Sequence, residues 1–503
     1  MTRQNDTPST REQTLGAPAA LFILVTAAFV VLATLNSVGY RYGAADQAFY
    51  VPAVVERLAP TAFPRDGELI RSQARLTLTD ETIATVVYAT GLSTPAAFAA
   101  LYVVTLAILV TAAWLIGGSL YRTRWTTLAL LAALTMKHAV AKSGTNTLEG
   151  YFHPRQLAFA LGAVAIASFL RERLLAAVAL VGMAGLFHPT TAMWFAIWIG
   201  IAVMIERPRT RAPLLLTGTL LMVWTVAAGP LAGRLAPMDS DWLATLKEKD
   251  YLFPLEWPVW VWFVNAGYVA LVVWPFLRRR AARLVSSREQ AIVIGALSLV
   301  AIFLLILPFN IARIQLAVQL QPARAFWMLD FLATIYVVWL LAEYRTEILE
   351  RRARLVAVAI LALATVRGLY VMFVEFPERP VVALDIPDTD WGRAMRWARG
   401  TNTSSGWLAD PMHAVLYGTS VRVAGERDVF VEGVKDVAIG MYDRGVAMRT
   451  RDRLNTLGDF RGLTTDRARD LARRFDLDYV VTEQVLELPV AFTSGALKVY
   501  RLR

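Results

Sequence analysis

Four short segments carry the residue types that can move a proton or hold a phosphate. In the first, AADQAFYVPAV, Asp46 is a carboxylate only a few residues beyond an apolar run. A carboxylate that close to a bilayer is costly unless it has a task or a partner. In the second, EGYFHPR, Glu149, His153 and Arg155 place an acid, an imidazole and a guanidinium within seven residues. Imidazole transfers protons near neutral pH, and a guanidinium grips a phosphate through two parallel hydrogen bonds. The third, HPTTAMW, sets His188 ahead of a proline. The fourth, QLQPARAFW, sets Arg324 at the head of an apolar run, with Arg313 upstream and Asp330 six residues on.

Each of these residues also has a purely structural use. Asp46 suits a helix N-cap. Arg155 and Arg324 suit interfacial anchors whose stems lie along apolar surface. His188-Pro189 suits a plain helical hairpin, with proline in the first turn. Lys137, His138 and Lys142 share that ambiguity, and Asp66, in Pro64-Arg65-Asp66, suits a simple turn.

The elements that position these segments are apolar. Of 503 residues, 56% are hydrophobic and 18% charged, and the mean hydropathy is +0.47. Soluble chains are about 45–50% apolar and about 25% charged. A helix crosses a ~30 Å hydrocarbon core with about 20 apolar residues. Eleven runs qualify as spans: 19–38, 95–119, 125–141, 156–170, 174–188, 189–205, 212–230, 257–277, 289–309, 324–343 and 354–374. The fold class expected is a mainly α, polytopic transmembrane bundle. The runs 156–170 and 174–188 are short; at 1.5 Å per residue they cover only about 22 Å. Their ends, near Arg155 and His188, are expected to be recessed around a polar cavity that opens outward.

The net charge of +11 follows the same topology. Cytoplasmic loops are rich in Lys and Arg. With the N-terminus inside, the inner segments collect Arg3, Arg11, Arg122, Arg124, Arg171, Arg173, Arg207, Arg209, Arg211, the run Arg278–Arg288 and the run Arg345–Arg354. The excess of basic residues is thus a topological signal and not a nucleic-acid footprint. The chain has no cysteine, which excludes disulfides and thiolate chemistry.

Composition divides the chain into a cytoplasmic tail 1–18, a helical membrane unit 19–375 with a long outer segment 40–81, and a polar unit 376–503. Within the outer segment, Phe49, Ala53, Val54 and Leu58 suit a helix lying on the membrane surface. Trp242, Tyr251, Phe253 and Trp257 suit an interfacial aromatic belt. The last unit reads as an independent, external α/β layer. It has a helix over 464–475 and strands at 407–410, 428–431, 477–482 and 496–502.

The segments DQAFYVPAV…FPRD, FHPRQLAFALG, HPTTAMW, QPARAFW and LARRFDLDYVV…LKVYRL resemble poorly characterised bacterial members of the GT-C superfamily of membrane glycosyltransferases. The resemblance spans nearly the whole chain. It implies a GT-C-like bundle in the bacterial cytoplasmic (inner) membrane, with the external α/β domain at the C-terminus. It implies a polyprenyl-phosphate-linked sugar as donor and a glycan or lipid as acceptor on the outer face, with inversion at the anomeric carbon and membrane lipids as surroundings. Asp46 would then be the general base. Arg155 and Arg324 would neutralise the departing polyprenyl phosphate, and His153 and His188 would hydrogen-bond sugar or phosphate; Glu149 and Arg313 complete the substrate set. Many relatives carry paired acids where this chain has Asp46-Gln47, so no metal is indicated and no cofactor is required. Two other classes remain: a transporter or flippase of lipid-linked glycans, which needs charge near the midplane, where only Asp330 and Arg367 lie deep; and a non-catalytic membrane scaffold.

Overall fold

The computed structural model describes residues 19–75 and 77–503. The tail 1–18, with Arg3 and Arg11, lies outside the described residues. The described residues are 67% helix. Helices α1 (Ala19–Asn36), α2 (Gln47–Leu58), α3 (Gly67–Ala74), α4 (Thr79–Thr90), α5 (Thr94–Leu120), α6 (Arg124–Leu134), α7 (Pro154–Leu170) and α8 (Leu174–Phe187) lead. They are followed by α9 (Pro189–Glu206), α10 (Arg211–Ala227), α11 (Ser240–Leu246), α12 (Val259–Ala281), α13 (Ser287–Ile311), α14 (Gln315–Gln319), α15 (Ala325–Glu343) and α16 (Leu349–Tyr370). Among the described residues, eight helical stretches, built on α1, α5, α9, α10, α12, α13, α14–α15 and α16, are long and apolar enough to cross a membrane. The other three expected runs are shorter apolar helices, α6, α7 and α8. Helix α6 stops at Leu134, short of the expected 141, because the chain turns into a hairpin. Of the short strands β1 (Tyr40–Arg41), β2 (Ala139–Val140), β3 (Thr145–Asn146) and β4 (Val382–Ala383), β2 and β3 form that hairpin.

Helices α7 and α15 form the centre. All but two residues of α7 are buried, and α15 is buried continuously over Ala325–Ala333. Helices that are apolar all round belong inside, whereas α10 buries none of its residues and is peripheral. A Cβ at Gly162 would overlap the Phe195 ring, so glycine allows α7 to lie close against α9. The rings of Phe159 (α7) and Trp327 (α15) stack with centroids 4.2 Å apart. Arg279, expected to serve as a topology signal, has a structural partner. Arg279 is 3% exposed and grips Glu289 through Nε (2.7 Å) and Nη2 (3.0 Å).

The C-terminal segment adds α17 (Asp390–Arg399), β5 (Gly406–Leu408), α18 (His413–Leu416), α19 (Val421–Ala424), β6 (Asp428–Val429), α20 (Gly433–Gly440), α21 (Arg444–Leu457), α22 (Thr465–Phe475), β7 (Tyr479–Thr482), β8 (Val490–Ser494) and β9 (Leu497–Arg501). Thr464 caps α22 by accepting from the Arg467 N–H. The sheet order is β6-β5-β7-β9-β8; β6, β5 and β7 are parallel, and β9 is antiparallel to both neighbours. Side chains alternate across the strands. Leu408, Val480 and Tyr500 join a core with α22, whereas Trp407, Val481 and Val499 join the core that runs on into the membrane helices.

That continuity corrects the expectation of an independent unit. Strand β4 pairs in parallel with β1, just after α1. Helix α2, expected on the membrane surface, buries Ala48 and the stretch Val51–Val55 instead, because α19 packs on it. The expected aromatic belt is likewise internal. Trp242, Phe253 and Trp257 are each at most 5% exposed, and the Trp242 Nε1–H donates to the Gly440 carbonyl at 2.7 Å.

Candidate functional site

The Phe159–Trp327 stack sets the heads of α7 and α15 level with one another. Arg155 lies one turn ahead of Phe159, and Arg324 lies three residues ahead of Trp327. Both guanidiniums are buried, 6% and 5% exposed. Arg155 donates from Nη2 to Glu149 Oε1 (3.2 Å) and from Nη1 to the Gly144 carbonyl (3.2 Å). Arg324 donates from Nη1 to Thr190 Oγ1 at 3.0 Å. No carboxylate pairs with Arg324 among the described residues, and the buried Nε of each arginine lacks a partner there. A buried cation with unsatisfied donors is expensive; an anion that enters recovers that cost.

Two histidines line the same place by one device. Each precedes a proline at the first helical position, and each caps its helix through Nδ1. His153 Nδ1 accepts from the Arg155 N–H at 3.0 Å; His188 Nδ1 accepts from the Thr191 N–H at 3.2 Å. With Nδ1 accepting, the proton of each neutral ring sits on Nε2. The ring centroids are 6.3 Å apart. Burial, then the Arg155 charge, push His153 down to about 4; burial, then Arg324, hold His188 well below the usual imidazole range. Both rings are therefore neutral donors at pH 7.

Asp46 occupies the N-cap position of α2 but makes no side-chain cap bond. Its Oδ2 accepts from His153 Nε2 at 3.3 Å, and its Oδ1 accepts from Lys435 Nζ at 2.9 Å. Its side chain is 32% exposed, so an incoming hydroxyl can reach it. Burial raises the Asp46 carboxyl, but Lys435 and the His153 hydrogen bond outweigh it and hold the group well below the usual carboxylate range. Burial raises Glu149.

The structure thus brings together Asp46, Glu149, His153, Arg155, His188 and Arg324. One chain of contacts runs Lys435–Asp46–His153–His188–Thr190–Arg324, and a branch runs His153–Arg155–Glu149–Lys137. Arg313 is the exception. It pairs with Glu256 at 2.6 Å and covers the Phe253 ring, and it shares no partner with the cluster. The two residues with deep placement are satisfied elsewhere: Asp330 accepts from or shares a proton with His138 Nε2 at 2.8 Å, and Arg367 donates to Asn36 and to the Lys137 carbonyl. Among the described residues, no three His, Asp or Glu gather as a metal set.

Sequence reasoning missed the residues that the C-terminal unit contributes. Lys435 comes from α20. Tyr442, just beyond α20, receives a 2.7 Å bond from Gln321 Nε2. Tyr50, Tyr251 and Tyr442 are all within electrostatic reach of Arg324. Asp66, which suits a turn, instead joins the two parts of the molecule. It is 1% exposed, accepts from Arg422 Nε at 2.8 Å and pairs with Arg449. One available signal was lysine itself. Only six of the 51 basic residues are lysines (137, 142, 247, 249, 435 and 498), and Lys137 and Lys435 each touch a carboxylate of the cluster.

No protein-family model matches the chain, and no curated protein matches it.

Proposed function

We propose that this protein is an inverting membrane glycosyltransferase of the GT-C type, which takes its sugar from a polyprenyl-phosphate donor at the outer face of a bacterial inner membrane. In this reading eleven helices span the bilayer, α6, α7 and α8 among them, with the N-terminus inside and the C-terminal unit outside. The observation that carries the reading is a reachable carboxylate, Asp46, set beside two buried arginines whose donors are not filled. That pairing suits a reaction in which a proton is taken at one point and a phosphate leaves at another.

The acceptor oxygen forms a bond to the anomeric carbon as the bond from that carbon to the donor phosphate oxygen breaks. The acceptor proton passes to Asp46, and the electron pair leaves with the polyprenyl phosphate, whose charge Arg155 and Arg324 stabilise. His153 and His188, neutral and protonated on Nε2, are donors for sugar or phosphate oxygens. Attack opposite the leaving group inverts the anomeric configuration.

A reconstitution experiment tests the class of activity. Purified protein incubated with polyprenyl-phosphate sugars releases free polyprenyl phosphate if the reading is right. Movement of intact lipid-linked glycan across vesicles, with no cleavage of the sugar–phosphate bond, would replace it with transport.

A further inference from the structure

We propose that Lys435 is a moving part of the phosphate site: it pairs with Asp46 at rest and turns to the leaving polyprenyl phosphate as the sugar is transferred. This rests on the glycosyl-donor reading above. The other cations around the cluster pair with groups whose charge the reaction leaves unchanged. Lys137 lies 3.8 Å from Glu149. Arg155 is held by Glu149 and the Gly144 carbonyl, Arg324 by Thr190, and Lys249 donates to the Val434 carbonyl at 3.3 Å. Lys435 is different, because its partner is the carboxylate whose charge the reaction cancels. An ammonium has three donors on a flexible four-carbon stem. The donor is a phosphodiester with one charge; cleavage makes a monoester that carries about two, while Asp46 loses its charge to the acceptor proton, so the attraction on Lys435 passes from Asp46 to the leaving phosphate.

The backbone beneath Lys435 is fixed, so only its side chain need move. On α20, the adjacent Asp436 binds Arg422 Nη1 at 2.6 Å. At the end of the helix, Trp242 and Gln319 donate to the Gly440 and Met441 carbonyls at 2.7 and 3.0 Å. The ammonium also lies 5.3 Å from the Phe49 ring centroid, a contact that favours the resting position.

The consequence is an order of events. Before transfer, Lys435 is ion-paired with Asp46. As the acceptor proton neutralises Asp46 and the second charge develops on the leaving phosphate, Lys435 follows the charge. Proton transfer and phosphate departure are thus linked through one side chain, and the C-terminal unit, which supplies Lys435, becomes part of the catalytic apparatus.

The six lysines make the test direct. Reductive methylation with ¹³C-formaldehyde keeps the charge and labels each lysine as dimethyl-lysine; loss of one signal in Lys435→Arg assigns Lys435. The sample is methylated protein that native mass spectrometry shows to bind undecaprenyl phosphate. Adding that lipid is expected to shift the Lys435 signal in the wild type and not in Arg324→Gln. Lys435→Gln is expected to bind the lipid about tenfold more weakly, the scale of one charged hydrogen bond. Lipid binding with an unmoved Lys435 signal, or with unchanged affinity in Lys435→Gln, overturns the proposal and leaves the donor reading standing. No lipid binding by any form of the protein removes the donor reading, and the proposal with it.

Discussion

Replacing Arg422 by methionine removes the cation that joins the C-terminal unit to the segment 40–81. Arg422 is 1% exposed. Its guanidinium lies 2.8 Å from Asp66, 2.6 Å from Asp436 and 3.6 Å from Glu432. Methionine fills much of the volume, so the main loss is electrostatic. Removing one partner of a buried ion pair costs about 3–5 kcal/mol. Here the lower end applies, because Asp66 keeps Arg449 and the Val429 N–H, and Asp436 keeps the Glu432 N–H. About 3 kcal/mol is roughly a hundredfold in an opening equilibrium. Hydrogen–deuterium exchange read by mass spectrometry reports that equilibrium locally. Amides in residues 421–440 should lose about a hundredfold of protection in Arg422→Met, while those of α15 keep theirs. Protection of 421–440 within threefold of wild type would refute the assignment of Arg422 as the tie between the two parts.

Other outcomes follow from the same geometry. Arg324→Gln should weaken polyprenyl-phosphate binding by about 10- to 100-fold, the loss of one or two charge-assisted hydrogen bonds; because the arginine has no carboxylate partner, thermal unfolding should show no loss of stability. Lys435→Gln removes the strongest influence holding Asp46 down, so the acid limb of kcat/KM, which lies below the usual carboxylate range in the wild type, should move to higher pH; an unmoved limb contradicts the pairing. Stability should also vary with pH in a signed way. Asp428 is pushed up to about 6 by burial and by Asp66, so the native state holds an extra proton below that value and stability rises as pH falls from 7 towards 5. Asp66 is held low by Arg422 and Arg449 despite its burial, so stability is lost as pH falls below the usual carboxylate value near 3.8; a scan of unfolding temperature against pH should therefore peak between these two values.

The apolar runs were legible because a bilayer leaves the backbone no partner but itself. All eleven appear as helices, though α6 ends early where Lys137 and His138 lead into a hairpin. Arg155, His153, His188 and Arg324 were legible because prolines mark the heads of their helices or turns. Arg313 misled by its nearness along the chain. It sits at φ 56°, and Gln321 at φ 49°; these two left-handed turns reverse the chain on either side of α14 and send Arg313 to Glu256. Strand β8 was missed because only 496–502 reads as a strand at the end of the chain, whereas Gly495 at φ 56° turns the preceding Val490–Ser494 back against it as a hairpin. Lys435 could not be read locally at all, since its partner Asp46 lies 389 positions away. The C-terminal unit looked separate for the same reason: charge balance and polarity describe its exposed surface, while its contacts with α2 and Asp66 depend on pairings that no local pattern records.

The central claim is that Asp46 takes the acceptor proton while the arginines hold the leaving phosphate. It is tested most directly by Asp46→Asn, which keeps the shape of the side chain and removes its basicity. With a polyprenyl-phosphate sugar and a competent acceptor, the wild type should release polyprenyl phosphate, and Asp46→Asn should bind the lipid but lose turnover by at least about 100-fold, the lower end of what a general base contributes. Turnover by Asp46→Asn at the wild-type rate would contradict the account.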